Sequence, residues 1–219
     1  MLRLTPKRLE AQNAEFDMEA ARQQFAERNW VRVPGFIEPS LLETLHRELA
    51  RAPFYDRSHG EIGTELCLVS GALTAALELM ANDPELLAVI EKLTGCGPLG
   101  CFVGRVYRMV PGAGHYDTWH SDVGENRKVA MSVNLSSSDY SGGVTEFRRV
   151  ADERPFDSVA NTGLGDAILF RIDPGLRHRV TPIEGREPKT AWAGWFRSSP
   201  RFEDLIRDRR SSASAASNT

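Results

Sequence analysis

The sequence predicts an α+β fold, in which a jelly-roll-like core of antiparallel strands has helices packed outside one sheet. Helical spacing of apolar residues is confined to roughly the first hundred residues. From Cys101 onward, six or more short strands follow one another, separated by turns and with no helix between them. Such a pattern is typical of an antiparallel sandwich or barrel. The 219 residues suit one domain with small extensions.

The first hundred residues contain the predicted helices. Proline is favoured in the first turn of a helix, so Thr5-Pro6 and Pro39 mark two starts. Asp83 is a predicted N-cap. The predicted elements are helices over 5–30, from Pro39, over 72–80 and over 84–93, a strand over 31–33, and a loop over 54–63. This part, residues 1–100, is expected to support the strand-rich core that follows it.

The core is predicted to span residues 101–200. Val129, Met131, Val133 and Leu135 alternate with smaller or polar residues, as expected for a strand with one buried face. The predicted strands are 102–110, 129–135, 144–150, 167–172, 177–181 and 190–196. A short helix over 201–210 and a disordered Ser/Ala-rich tail over 211–219 complete the prediction.

Composition narrows the classes of function. A net charge of −3 indicates neither nucleic acid nor a membrane surface as partner. The three cysteines include no Cys-x-x-Cys pair, so we expect free thiols. The chain begins without the apolar region of a secretory signal and has no 18-residue apolar run, so we expect a cytoplasmic protein.

One glycine motif is misleading. Residues 95–100 match Gly-x-Gly-x-x-Gly, but a dinucleotide-binding loop needs a strand before it and a helix after it. Here the motif follows a predicted helix and leads into strands. We therefore interpret it as a helix stop and turn.

The segment Trp119-His120-Ser121-Asp122 contains the strongest candidate for chemistry. In a strand, residues two apart project from the same face, so His120 and Asp122 would point into one small volume. A second imidazole would complete a two-His, one-carboxylate set, which suits Fe(II) with open positions. His178 is the candidate, but on local evidence it is equally well an ordinary histidine.

The other histidines are weaker candidates. His115 and Asp117 form a second His-x-Asp pair, but odd and even positions face opposite ways in a strand, so only one of the two pairs can face inward. Because the His115 pair directly follows the turn sequence at 111–114, we favour His120 and Asp122. His46 lies on a predicted helix and His59 in a predicted loop. Both are expected to be solvated surface residues.

The order of motifs resembles the Fe(II)/2-oxoglutarate-dependent dioxygenases, nearest to the prolyl-4-hydroxylase-like and phytanoyl-hydroxylase-like branches. The resemblance covers about residues 102–196, with a looser match over 30–49. Its parts are His120-x-Asp122, a strand ending in Asn134-Leu135-Ser136, the segment Gly142-Gly143-Val144-Thr145-Glu146-Phe147, the segment Gly165–Phe170, His178-x-Val180-x-Pro182, and a basic residue before Trp195-Phe196.

The resemblance implies a double-stranded β-helix of the cupin-like kind. It also implies that His120, Asp122 and His178 hold Fe(II) and carry catalysis. 2-Oxoglutarate and O2 are the implied cosubstrates, with ascorbate as a candidate reductant. Family members that halogenate lack the carboxylate, so Asp122 argues for hydroxylation, which would release succinate and CO2.

The distal carboxylate of 2-oxoglutarate needs a cation, for which Lys189 and Arg186 compete. In the family, the cation stands at the start of this strand and its side chain points inward. Lys189 stands at the start of the strand predicted over 190–196. Its side chain should face the same way as every second residue after it: Ala191, Ala193 and Trp195. We therefore favour Lys189. Thr145 is a candidate wall residue of the cosubstrate pocket.

Two other functions and a wide range of substrates stay open. A cupin-type isomerase or hydrolase could use the same ligands with zinc, and the scaffold could also be a non-catalytic binding module. The substrate could be a small molecule or a peptidyl residue. Arg57, Arg105 and Arg108 would suit an anionic or amino-acid-like molecule, although a solvated role is the default for each. A homodimer is also left open.

Overall fold

A computed structural model describes residues 2–5, 9–11 and 17–216. The helices are α1 Met18–Arg28, α2 Pro39–Arg51, α3 Ala72–Ala81, α4 Pro84–Thr94 and α5 Phe202–Ala216. The strands are β1 Leu2–Leu4, β2 Leu9–Ala11, β3 Trp30–Val33, β4 Phe54–Ser58, β5 Gly63–Leu68, β6 Cys101–Met109, β7 Tyr116–Asp117, β8 Arg127–Asn134, β9 Ser141–Gly142, β10 Thr145–Arg149, β11 Asp157–Val159, β12 Ala167–Arg171, β13 Leu176–Val180, β14 Ile183–Glu184 and β15 Lys189–Arg197.

The strands form a curled antiparallel half-barrel, which confirms the predicted α+β fold with a double-stranded β-helix core. The major sheet has the order β3-β12-β8-β15-β6-β5-β4, and β7 pairs with β5. A minor sheet of order β11-β10-β13 carries His178, the second candidate histidine ligand of the metal. The small pair β14-β9 extends this side of the molecule. None of the described helices is long and apolar enough to cross a membrane.

The helices cover the outer face of the major sheet, as predicted. Leu45 of α2 and Ile90 of α4 are fully buried in one apolar cluster with Phe102 and Trp192. Burying such a side chain stabilises the fold by about 1.5–3 kcal/mol each. A second cluster lies between the two sheets and includes Phe147 and Phe170. The hydrophobic core therefore has two layers, and the layer between the two sheets borders the candidate metal site.

Helix ends follow the predicted signals. The Asp83 side chain accepts hydrogen bonds from the backbone N–H groups of Glu85 and Leu86, so α4 begins where expected. Gly95 ends α4 with a φ of 63°, a left-handed conformation that glycine adopts without strain. The Gly-x-Gly-x-x-Gly segment is therefore a helix stop.

Three predicted elements are different in the structure. The helix expected from Thr5-Pro6 begins at Met18, and Leu9–Ala11 pairs instead with Leu2–Leu4 in a short hairpin. The loop expected over 54–63 contains β4, which pairs with β5. Polar, exposed residues in β4 hid its strand character. The last helix continues to Ala216, past the predicted end at 210, whereas residues 217–219 of the predicted disordered tail lie outside the described residues.

Two glycines face each other where β6 meets β15. Gly194 pairs with Gly104, and the Phe102 ring fills the space that their missing side chains leave. A Cβ at Gly194 would approach Phe102 Cζ to 2.7 Å, and one at Gly104 would approach Phe102 Cε1 to 2.6 Å. Close packing of this strand pair depends on both glycines.

Gly194→Ala is therefore expected to lower the free energy of unfolding by about 2 kcal/mol, because the added methyl overpacks the core. Urea denaturation measures the change. Gly71→Ala is a control, since nothing lies within 4 Å of a Cβ built there. Equal losses in the two variants would contradict the explanation.

Candidate functional site

Two chain segments bring three metal-binding side chains together between the sheets. His178 lies on β13, and His120 joins it through an isolated antiparallel bridge with reciprocal backbone hydrogen bonds, both of 3.0 Å. Asp122 Oδ1 lies 3.8 Å from His120 Nε2, and Asp122 Oδ2 lies 3.4 Å from His178 Nε2. All three ligand atoms lie within 4.8 Å of one another, so the group could hold a metal ion.

The segment around His120 is not the regular strand that the sequence predicts. Only His120 forms a bridge, and residues 121–124 are irregular. The convergence of His120 and Asp122 therefore depends on this irregular backbone and on pairing with β13. The side chains of His120 and Asp122 nevertheless point into the same volume, as expected.

Asp117 orients the His120 ring. His120 Nδ1 lies 2.8 Å from the Thr118 carbonyl oxygen and 3.1 Å from Asp117 Oδ1, which favours a proton on Nδ1 and a free lone pair on Nε2. Burial by itself lowers the pKa of His120, but the hydrogen bond and charge of Asp117 outweigh it, so the pKa is raised. Asp117 is outside the metal-binding group, in agreement with the preference for the His120 pair, but it lies beside His120, a position that the sequence does not indicate.

Asp122 is an anion under ordinary conditions. Burial opposes its ionisation, but the hydrogen bond and positive charge of His178, together with a hydrogen bond from Trp195, hold its pKa far below the usual range. Arg127 Nη1 lies 3.7 Å from Asp122 Oδ1 and stacks its guanidinium 3.8 Å from the Trp195 ring centroid. A charged oxygen ligand is thus held ready beside two imidazoles.

The three side chains line a cavity of about 340 Å³ between the two sheets. Thr145, Met109 and Val180 line one part of it, and Trp195 and Arg105 line another. Thr145 thus lies where a wall residue was expected. Its side chain is buried, and Val180 is its strand partner on β13.

Lys189 is a buried cation at the start of β15. Its side chain is only 2% exposed, and its Nζ donates to the Gly143 carbonyl oxygen at 2.9 Å. Its strand partner on β6 is Met109, a residue of the cavity wall. Burial lowers the pKa of Lys189 to about 8, although the charge of Asp117 acts in the opposite direction. Such a side chain suits a bound anion, which would restore its charge.

Arg186 does not share this position. It lies exposed in the loop between β14 and β15. Of the two competing cations, only Lys189 is buried next to the cavity wall.

The remaining histidines lie apart from the triad. His115 Nδ1 accepts a hydrogen bond of 2.9 Å from the Val110 backbone, so this ring stabilises the turn as its position suggested. His46 is half-buried on α2, and among the described residues its Nε2 has no hydrogen-bond partner, so it is not the fully solvated residue expected. His59 also differs from expectation: it lines the cavity, and its Nε2 lies 3.0 Å from Glu65 Oε1.

Sequence reasoning missed the polar wall formed by β4 and β5. Glu65 of β5 and Arg105 of β6 form an ion pair with a distance of 2.6 Å at this wall. In the structure Glu65 and Cys67 are buried residues of β5, whereas the sequence alone would favour Leu66 over Glu65 as an inward residue, so no local signal reveals the inward carboxylate.

Comparison with known proteins agrees with this geometry. Residues 104–197, which include the triad and Lys189, match the family model described as the 2OG-Fe(II) oxygenase superfamily. No curated protein sequence matches the chain.

Several solved structures share the fold. An oxidoreductase of the 2OG-Fe(II) oxygenase family from Burkholderia pseudomallei is 14% identical, with a TM-score of 0.68 over 92% of this chain and 98% of that one. A prolyl-4-hydroxylase from Pseudomonas putida is 19% identical, with a TM-score of 0.63 over 84% and 100%. The non-heme alpha ketoglutarate dependent epimerase SnoN from nogalamycin biosynthesis is 18% identical, with a TM-score of 0.59 over 82% and 81%.

The double-stranded β-helix, the His-Asp-His group and the family match over this same region lead to one conclusion. The region of residues 104–197 belongs to the 2OG-Fe(II) oxygenase superfamily, a superfamily of enzymes whose cofactors are iron and 2-oxoglutarate.

Proposed function

We propose that the enzyme hydroxylates a C–H bond of its substrate, with His120, Asp122 and His178 as the iron ligands and Lys189 as the partner of the distal carboxylate of 2-oxoglutarate. The observation that carries the proposal is the convergence of two imidazole nitrogens and one carboxylate within 4.8 Å. This donor set fits Fe(II) and leaves neighbouring positions for other ligands. The presence of Asp122 favours hydroxylation over halogenation.

Iron bound with 2-oxoglutarate and O2 would supply the oxidant, while 2-oxoglutarate is converted to succinate and CO2. The protein's own residues position the reactants. The Thr118 carbonyl oxygen accepts the proton of His120 Nδ1 in a hydrogen bond, and the nearby charge of Asp117 supports it, so Nε2 would face the metal. The Phe170 ring packs 4.7 Å from the His178 ring and restricts its rotation. Met109 and Val180 make an apolar wall that excludes water from the reacting atoms.

A buried lysine argues against the competing activities. A zinc-dependent isomerase or hydrolase on this scaffold would need the triad but would have no use for Lys189. Burying this ammonium group costs free energy, as its lowered pKa indicates. Binding of a dicarboxylate cosubstrate would explain why a buried ammonium group is kept despite this cost.

The proposal predicts thermal stabilisation by cosubstrate. With Mn(II) under anaerobic conditions, 2-oxoglutarate at about 100 times its Kd should stabilise the fold by about 2.7 kcal/mol and raise the Tm by several degrees. With Fe(II) and air, the enzyme should release succinate. A product heavier by one oxygen atom identifies hydroxylation, whereas an unchanged product mass would indicate an epimerase, as in SnoN. An unchanged Tm at millimolar 2-oxoglutarate, with no succinate, would contradict the proposal.

A further inference from the structure

We propose that the substrate is a small carboxylic acid, whose carboxylate binds Arg105 in the cavity. The inference rests on the proposed function, because it places the substrate in the same cavity as the iron ligands. It names a substrate class and a recognition residue. The evidence is a polar cluster formed by Arg57, His59, Glu65 and Arg105, called the Arg105 cluster below.

The charged side chains of the Arg105 cluster contact one another and are partly buried. Arg105 Nε donates to Glu65 Oε1 at 2.6 Å, and its side chain is 22% exposed. The guanidinium lies 5.8 Å from each of the Tyr107 and Trp195 ring centroids. Glu65 uses only Nε, and His59 Nε2 lies 3.4 Å from Nη2, so Nη1 is the terminal nitrogen left to donate to an anion.

The charge of the cluster favours an anionic ligand. Glu65 Oε1 already contacts three partners, since His59 Nε2 lies at 3.0 Å and Arg57 Nη1 at 4.0 Å in addition to Arg105. Two guanidinium groups therefore face one carboxylate, which leaves one positive charge on this wall. A substrate ammonium group would add a further charge to that excess, whereas one carboxylate would neutralise it.

The position of Arg105 suits a molecule that lies alongside 2-oxoglutarate. Arg105 is paired with Ala193 on β15, and Lys189 lies four residues earlier on the same face of that strand. At a strand rise of about 3.4 Å per residue, the backbone of Lys189 lies roughly 14 Å along β15 from that of Ala193, the partner of Arg105. Ala191 and Ala193 leave the sheet face between them free of bulky side chains. Arg105 thus lines the cavity and Lys189 lies behind its wall, next to Met109, so each of two carboxylates has a separate cation.

The size of the cavity favours a small molecule over a large one. Its volume of about 340 Å³ is near the lower end of the range for ligand pockets, about 300–1,000 Å³. This space must hold both 2-oxoglutarate and the substrate. An amino acid or a short carboxylic acid fits the part that remains.

The test measures binding to the Mn(II) and 2-oxoglutarate complex under anaerobic conditions by thermal shift and calorimetry. The probes are the proteinogenic amino acids and short straight-chain carboxylic acids, each paired with its primary amide. At least one acid should bind the wild-type protein about tenfold or more tightly than its amide, as expected for a charged hydrogen bond.

Two substitutions separate recognition from a structural ion pair. Arg105→Gln should remove the preference for acid over amide, while Glu65→Gln should keep or increase it, because the net positive charge rises. A purely structural pair would make both changes lower acid binding. Since Arg105→Gln leaves Glu65 unpaired, the double variant Arg105→Gln/Glu65→Gln tests the same loss with the charges balanced. Arg149→Gln, at an exposed arginine, is the control and should keep the preference.

The outcomes distinguish this inference from the proposed function. If succinate is released but no acid binds more tightly than its amide, the carboxylate subsite is wrong and the proposed function stands. A preference for acids that survives in the double variant would also overturn the role of Arg105. If 2-oxoglutarate neither raises the Tm nor yields succinate, the proposed function itself is wrong.

Discussion

Asp122→Ala is expected to reduce succinate formation by at least about a thousandfold, the largest effect of any single substitution proposed for this enzyme. The loss of one ligand of three, and of its negative charge, removes several kcal/mol of metal and transition-state stabilisation. Succinate release and iron content after anaerobic reconstitution measure the effect. The fold should survive, because Asp122 lies at the site and outside the buried hydrophobic clusters.

Two controls make the Asp122 experiment specific. Asp152→Ala removes an exposed aspartate far along the chain and should leave succinate release unchanged. The circular dichroism spectrum of Asp122→Ala should match that of the wild type. If Asp122→Ala keeps a tenth or more of the activity with iron bound, Asp122 is not a ligand.

Lys189→Met is expected to raise the KM for 2-oxoglutarate by about 10–100-fold, because a charged hydrogen bond of about 1.5–3 kcal/mol is lost. The methionine side chain fills a similar volume, so the buried site is not left empty. Steady-state kinetics with varied 2-oxoglutarate measures the change. Arg186→Ala is the control. If it raises the KM and Lys189→Met does not, the cation has been assigned to the wrong residue.

The pH dependence of the wild type gives an independent test of Lys189. Its pKa of about 8 means that the free enzyme carries the required ammonium group below pH 8 and loses it above. The kcat/KM for 2-oxoglutarate should therefore fall about tenfold per pH unit above pH 8. Lys189→Met should lack this fall. A flat profile in the wild type up to pH 10 would contradict the role of Lys189.

The lowered pKa of Lys189 has the opposite effect on stability: above pH 8, kcat/KM should fall while the free energy of unfolding should rise. In the folded protein, the pKa of Lys189 is lowered from 10.5 to about 8, so the unfolded state binds more protons between these values. Stability without ligand should therefore rise as the pH increases from about 8 to 10.5. At pH 7, Lys189→Met should be more stable than the wild type by up to about 3 kcal/mol. Lys128→Met, at an exposed strand position, is the matched control and should show no such gain.

Local patterns in the sequence predicted much of the molecule. Asp83 and Gly95 marked the ends of α4, because capping depends on neighbours in the chain. The alternation at 129–135 predicted β8, because half-buried strands repeat every second residue. The candidate iron ligands and Lys189 followed from the order of short motifs. Their roles stay predictions, although their side chains converge as a metal and anion site requires.

Other features could not be read from local patterns. The strand β4 has mostly exposed, polar residues, and only its pairing with β5 makes it a strand. Asp117 was set aside on the assumption of a regular strand from 115 to 122, in which only one His-x-Asp pair faces inward. The irregular backbone between β7 and β8 removes that constraint, so both Asp117 and Asp122 contact His120.

The sequence by itself therefore determined the fold class, the order of the main helices and core strands, and the residue types at the candidate iron site. Tertiary structure alone decided that Lys189 is buried while Arg186 is exposed, and that Arg105 meets Glu65, forty residues away in the chain. The physical reason is that capping and strand alternation are local properties, whereas burial and side-chain pairing depend on sheet register. Pairing of β5 with β6 puts Glu65 and Arg105 on one face of the sheet, where their long side chains meet in the cavity wall, and no local spacing in the sequence encodes this contact.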